Sequence, residues 1–296
     1  MAARDFREML ESRWKLGNFL CVGLDSELEK IPESARKATV RETILAFNQA
    51  IVDATSDLVC AYKPNPAFYE AQGEEGWSAL RETIAYIHTA APEVPVILDA
   101  KRGDIGNTNI AYAKSAFDHL SADAITVHPY LGSEPLAPFF ERKEKGIIVL
   151  CHTSNPGAGE IQNLVVGGHS TKLGTSEPLA ASAKGSGEPL YKVVAHLAKE
   201  KWNTHGNCCV MVGATYPEEL TEIRGIVGDM PILTAGIGAQ NGDLAKTILA
   251  GLDKNKKGLI VNVSRSVLFA SKGSDYAEAA GMKAMELAGA IKAVLS

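Results

Sequence analysis

The stretch LDAKRGDIGNT (98–108) closes an apolar run with four charged residues in six positions, Asp99, Lys101, Arg102 and Asp104. On a strand, side chains alternate between faces, so Asp99 and Lys101 are expected on one side, roughly 6.6 Å apart along the chain. Arg102 then points the other way, where a structural role is expected. Asp104 follows in a turn opened by Gly103, and Lys63 ends a second apolar run with the charge to join the array. Alternating carboxylates and ammoniums keep one another ionised. Two unit charges about 4 Å apart interact by about 4 kcal/mol at an effective dielectric near 20, so a further anion pressed against these carboxylates would be strongly repelled. Such an array is a preorganised electrostatic device in which each charge fixes the next. The plainer alternative is a salt-bridge network that ties strand ends together.

A second constellation lies in the last third of the chain, GIGAQNGD (236–243) and VSRSV (263–267). Glycine-rich loops after the last strands of an α/β barrel commonly hold phosphate. Gln240 and Arg265 would add side-chain donors, the arginine as a bidentate partner. Asp25, His128, Thr153 and Ser154 also sit at the carboxyl ends of apolar runs. Asp25, Asp99, Asp104 and His128 could in principle gather a divalent cation, but two lysines among them oppose it, and no metal is expected. His128 is expected to be packed at its strand end. Cys208 and Cys209 belong to an apolar run and read as core.

These residues need elements to hold them. Eight short apolar runs cover 19–25, 58–65, 94–101, 124–130, 146–154, 208–215, 231–238 and 258–266. They are rich in β-branched residues and lack polar alternation, as strands buried on both faces of a parallel sheet should be. Segments with apolar spacing near 3.6 separate them, for example 40–56, 77–91, 188–202 and 276–295. Eight βα units predict a (β/α)8 TIM barrel formed by residues 1–296 as one domain. In such a barrel the carboxyl ends of the strands converge on one mouth. Residues 155–187, rich in Gly, Ser and Thr, are far longer than an ordinary βα loop and are expected to form a lid over that mouth.

Bulk properties narrow the classes of partner. The 296 residues are 46% hydrophobic and 22% charged with a net charge of −5, an ordinary folded composition without a basic footprint for nucleic acid or a membrane surface. The five cysteines lack metal-ligand spacing and read as buried thiols in a reducing, cytoplasm-like compartment. No apolar run has the length of a signal peptide core or a transmembrane helix.

Taken in order, VGLD (22–25), AYKPNPAFYE (61–70), LDAKRGDIGNT, HTSNPGA (152–158), GIGAQNGD and VSRS resemble the orotidine 5′-phosphate decarboxylase family, in particular its longer branch with KPNPAFYE-type and DAKRGDIG-type motifs. The resemblance runs from residue 19 to residue 270. It implies decarboxylation of orotidine 5′-phosphate to uridine 5′-phosphate in pyrimidine biosynthesis, without a cofactor. Lys63, Asp99, Lys101 and Asp104 would be the catalytic tetrad, with Lys101 donating the proton. The resemblance also implies a homodimer with shared sites, in which Asp104 and Thr108 reach the partner's substrate. Asp25 would bind the ribose hydroxyls, Ser154 the pyrimidine edge, and Gln240 and Arg265 the phosphate. Two positions depart from the family pattern: Ala235 stands where Pro is frequent, and Asn241 where a second Gly is common. Some members are fused to an orotate phosphoribosyltransferase. A metal-dependent sugar-phosphate aldolase or synthase, a Schiff-base aldolase using Lys63 or Lys101, and a non-catalytic nucleotide-binding protein are the alternatives.

Overall fold

The computed structural model describes residues 4–166, 187–237 and 243–295. Eight parallel strands form its centre: β1 (Leu20–Leu24), β2 (Val59–Pro64), β3 (Ile97–Arg102), β4 (Ala124–Val127), β5 (Gly146–His152), β6 (Cys208–Gly213), β7 (Ile232–Ala235) and β8 (Leu259–Val263). Their order around the sheet is β2-β1-β8-β7-β6-β5-β4-β3, and a parallel bridge between Tyr62 and Val96 joins the two ends. The result is the expected (β/α)8 barrel. β1, β2, β6 and β8 are buried at every position, which explains runs of Val, Ile, Leu and Cys without polar alternation.

Helices cover the strands: α1 (Phe6–Lys15), α2 (Val40–Thr55), α3 (Gly73–Ala90), α4 (Gly106–Lys114), α5 (Leu190–Leu197), α6 (Pro217–Val227), α7 (Leu244–Gly251) and α8 (Tyr276–Leu295). Several starts are written locally. Asp5, Thr39 and Asp243 each accept a hydrogen bond from the backbone N–H three residues on, occupying a donor that the helix cannot satisfy itself. Between β4 and β5 the helix is reduced to one turn, Ala137–Phe140. Helix α1 packs beneath the barrel: Phe6 lies where a side chain on Gly146 would be, and Trp14 Nε1 donates to the Leu259 carbonyl at 2.9 Å. Between β5 and α5 the chain adds a two-residue antiparallel ladder that sequence periodicity did not indicate, Val165 with Pro189 and Val166 with Glu188. Of the expected lid, 167–186 lies outside the described residues. All five cysteines are buried and unpaired.

Candidate active site

The end of β3 is the centre of the charged cluster. Asp99 Oδ2 accepts from Lys63 Nζ at 2.8 Å, and Oδ1 accepts from Lys101 Nζ at 2.7 Å and from Thr126 Oγ1 at 2.9 Å. Three adjacent strands therefore converge on one carboxylate. Lys63 and Asp99 are almost fully buried, whereas the Lys101 side chain is 42% exposed at the open end. Burial alone would raise the Asp99 carboxyl, but the charges and hydrogen bonds of Lys63 and Lys101 outweigh it and hold the group well below the usual carboxylate range. Burial pushes the Lys63 ammonium down, and Asp99 with Asp25 more than reverses this, so Lys63 stays charged. Beneath them, burial pushes the Cys21 thiol up to about 12, with Lys63 opposing, and the sulfur adds no charge near neutrality.

The backbone reaches this arrangement differently from the expected alternation. β3 and β4 pair at Leu98 with Ile125 and next at Arg102 with Val127, so β3 bulges between those points. Lys101 lies within the bulge at φ +47°, a left-handed conformation that few non-glycine residues adopt. Asp99 and Lys101 do meet at the mouth, but through a bulge rather than a regular pleat. Arg102 leaves the cluster, bonding Glu70 at 2.9 Å and lying 4.9 Å over the Tyr112 ring.

Asp104 does not join the array within one chain. Its carboxylate accepts from the Ile105 N–H at 2.7 Å, and its backbone is held by Asn109, which accepts from Asp104 N and donates to the carbonyls of Asp104 and Pro135. Thr108, in the first turn of α4, is exposed. Ile105 and Ile110 beside it are 62% and 55% exposed. His128 packs its ring where a Gly103 side chain would stand, which explains both residue types. Among the described residues, no group of three or more His, Cys, Asp or Glu side chains is gathered to hold a metal ion.

The other candidates ring the mouth. Asp25 follows β1, and its Oδ1 is buried with no hydrogen-bond partner among the described residues. A buried carboxylate oxygen left open in this way suits a hydroxyl donor brought by a ligand. Its backbone is fixed from behind by a buried network that sequence reading missed. Ser26 donates to Asn48, Asn48 donates to Tyr69 and Thr83, and Tyr69 donates to the Leu24 carbonyl. Ser154 passes so close to β6 that a side chain on Gly213 would fall within 2.8 Å of its backbone. Thr153 just before it is clamped by Gln162, which accepts from Thr153 N at 2.8 Å and donates to Thr153 Oγ1 at 2.9 Å. Gly23 has the same purpose on β1, because its hydrogen leaves space for Ser264 and Asn262. Arg265, next to Ser264, is exposed and bonds no acidic side chain among the described residues. Ala235 is half-buried at the end of β7, while Gln240 and Asn241 lie outside the described residues.

Fold and mouth together define a (β/α)8-barrel enzyme. Residues 18–280 match the model of the orotidine 5′-phosphate decarboxylase / HUMPS family, and the chain belongs to that family. It is similar to the orotidine 5′-phosphate decarboxylase of Cellvibrio japonicus, 47% identical over 283 residues, which is 95% of this chain and 96% of that protein. The enzyme of the same name from Herpetosiphon aurantiacus is 48% identical over 261 residues, 88% of each chain. Among solved structures, Leishmania donovani OMP decarboxylase aligns with a TM-score of 0.80 at 37% identity, over 98% of this chain and 99% of that one. Leishmania donovani UMP synthase aligns with a TM-score of 0.82 at 37% identity, over 99% of this chain and 57% of that longer one.

Proposed function

We propose that this chain is a carboxy-lyase that converts orotidine 5′-phosphate to uridine 5′-phosphate and CO2 in pyrimidine biosynthesis. The observation that carries the mechanism is the Lys63–Asp99–Lys101 chain, anchored in the core at one end and open to the mouth at Lys101. The substrate carries a carboxylate on C6 of its pyrimidine. When the C6–carboxylate bond breaks, CO2 departs and the electron pair stays on C6. The Lys101 ammonium meets that pair and supplies the proton. Asp99, held ionised, repels the substrate carboxylate and keeps Lys101 aimed through their 2.7 Å hydrogen bond. No cofactor enters this scheme.

The remaining residues bind and align. The open Oδ1 of Asp25 suits a ribose hydroxyl, Ser154 the pyrimidine edge, and Arg265 the phosphate, with Gln240 as its partner on the loop side. Binding energy from the phosphate, remote from C6, would close the 155–187 segment as a lid on the single barrel domain and exclude water. The site works as part of a homodimer. Asp104 pairs with no cation among the described residues of its own chain, and the exposed Ile105 and Ile110 beside it offer an apolar surface for a second copy. Asp104 and Thr108 then serve the partner's substrate.

Loss of orotidine 5′-phosphate absorbance, followed with purified protein in excess EDTA, tests the reaction. Persistent turnover is expected, and activity that vanished with EDTA and returned with Mg²⁺ would instead favour a metal-dependent enzyme. Mixing and refolding inactive Asp104→Ala with inactive Lys101→Ala tests the shared site. Random pairing gives one intact site in half of the dimers, so about a quarter of wild-type activity should return. No recovery from an active parent would remove the shared site while leaving the reaction.

A further inference from the structure

We propose that Thr126 on β4 is a positioning residue for the decarboxylation, holding the Lys101 ammonium on line by joining the Lys101 backbone to the Asp99 carboxylate. The proposal rests on the function given above. Thr126 is fully buried. Its Oγ1 accepts from Lys101 N at 2.9 Å and donates to Asp99 Oδ1 at 2.9 Å. The directions are fixed by chemistry, because an amide N–H can only donate and an ionised carboxylate can only accept.

The register makes the hydroxyl necessary. Between the paired positions Leu98–Ile125 and Arg102–Val127, three residues of β3 lie opposite Thr126 alone. The Lys101 N–H, at the left-handed φ of +47°, donates to the Thr126 side chain where a regular ladder would offer a backbone carbonyl. The hydroxyl therefore acts as a piece of strand that the bulge has displaced. Its second bond then closes a ring: Lys101 N to Thr126 Oγ1, on to Asp99 Oδ1, and back to Lys101 Nζ at 2.7 Å. The lysine is held at the root and at the tip of its side chain. Valine in place of Thr126 would keep the shape and open the ring, whereas serine would keep it closed.

The test compares kcat, KM and melting temperature for Thr126→Val and Thr126→Ser against wild type. For Thr126→Val, kcat should fall roughly 10- to 100-fold, the cost of a misplaced reacting group. Its KM and its affinity for uridine 5′-phosphate should stay near wild type, because the Thr126 hydroxyl bonds only Lys101 and Asp99 among the described residues. Thr126→Ser should restore kcat to within about threefold, since the hydroxyl it supplies has the same donor and acceptor capacity. If the valine variant does not fold, Thr126→Cys, of similar size but a poor hydrogen-bonding partner, replaces it with the same expectation. Wild-type kcat in the valine or cysteine variant would overturn the proposal, as would a serine variant that falls equally far. A lower melting temperature with unchanged kcat would reduce Thr126 to a structural residue and also overturn it. Wild-type protein inactive on orotidine 5′-phosphate would remove the underlying function as well, which separates the two failures.

Discussion

The two ends of the barrel use the same side-chain types to opposite effect. At the floor, where strands begin, buried arginines close the backbone. Arg224 donates to the carbonyls of Gly228, Met230, Gly251 and Gly258, and Arg13 to those of Ser56, Asp57 and Val59. Burial draws the Arg224 guanidinium down to about 10, against the pull of Asp253 and Asp229, yet it stays charged near neutrality. Asp123 at the same end is filled by Arg4, with bonds of 2.8 and 2.9 Å, and by the Val96 N–H. At the mouth, where strands end, capacity is left over. Among the described residues Asp25 Oδ1 has no partner, Lys101 is half in solvent, and Arg265 is exposed and bonds no acidic side chain. Charges whose fields are consumed locally stabilise a fold. Charges with unspent bonds can act on something that arrives.

That contrast can be broken or sharpened by experiment. The largest effect should come from Lys101→Ala at the mouth. Loss of the proposed proton donor should lower turnover by about a thousandfold or more while leaving uridine 5′-phosphate binding measurable. Retention of a tenth of wild-type turnover would remove Lys101 from that role. Next is an arginine swap across the barrel. Arg224→Met at the floor strips donors from four carbonyls and should cost about 3 kcal/mol of unfolding free energy with kcat unchanged below the transition. Arg265→Ala at the mouth should do the reverse, raising KM by about thirtyfold through one lost charge-assisted bond while the melting temperature holds. Equal stability losses in both variants would erase the distinction.

The smallest effect concerns acid. Burial would raise the Asp123 carboxyl, but the hydrogen bonds of Arg4 and the His88 imidazole 3.5 Å away carry it from 3.8 down to about 2. A folded-state value below the unfolded one gives stability that is complete above about pH 4 and lost as pH falls toward 2, worth about 2 kcal/mol. Urea midpoints across that window should drop, and Asp123→Asn should flatten the drop and lower the neutral plateau. A drop that survives the substitution would assign the acid limb to Asp99 at the mouth, whose carboxyl is shifted the same way.

What the sequence made legible follows from which forces are local. The strands showed themselves because β1, β2, β6 and β8 are buried on both faces and are apolar but for Lys63 and Asn262 near their carboxyl ends. Asp99 and Lys101 were legible because charge at a buried strand end is expensive without a use. The bulge was not, since nothing in the spacing from Leu98 to Arg102 says that three residues will stand opposite one. Thr126 and Asn109 were missed for the same reason: each acts across a register that only the folded sheet fixes. The glycines at 23, 103 and 213 announce a close approach, but not that Ser264, His128 and Ser154 are what approaches. Gln240 rests on sequence alone, as does most of the 155–187 segment.

One seam runs down this barrel. Between β2 and β3 the backbone contributes a single bridge, Tyr62 to Val96, and above it the gap is spanned by side chains, first among them Lys63 and Asp99. The clasp that shuts the cylinder is therefore also the pair that stands behind Lys101. Any breathing of the seam would be felt at once as a change in the support behind Lys101. In this molecule, mechanical stiffness and chemical readiness are set at the same joint.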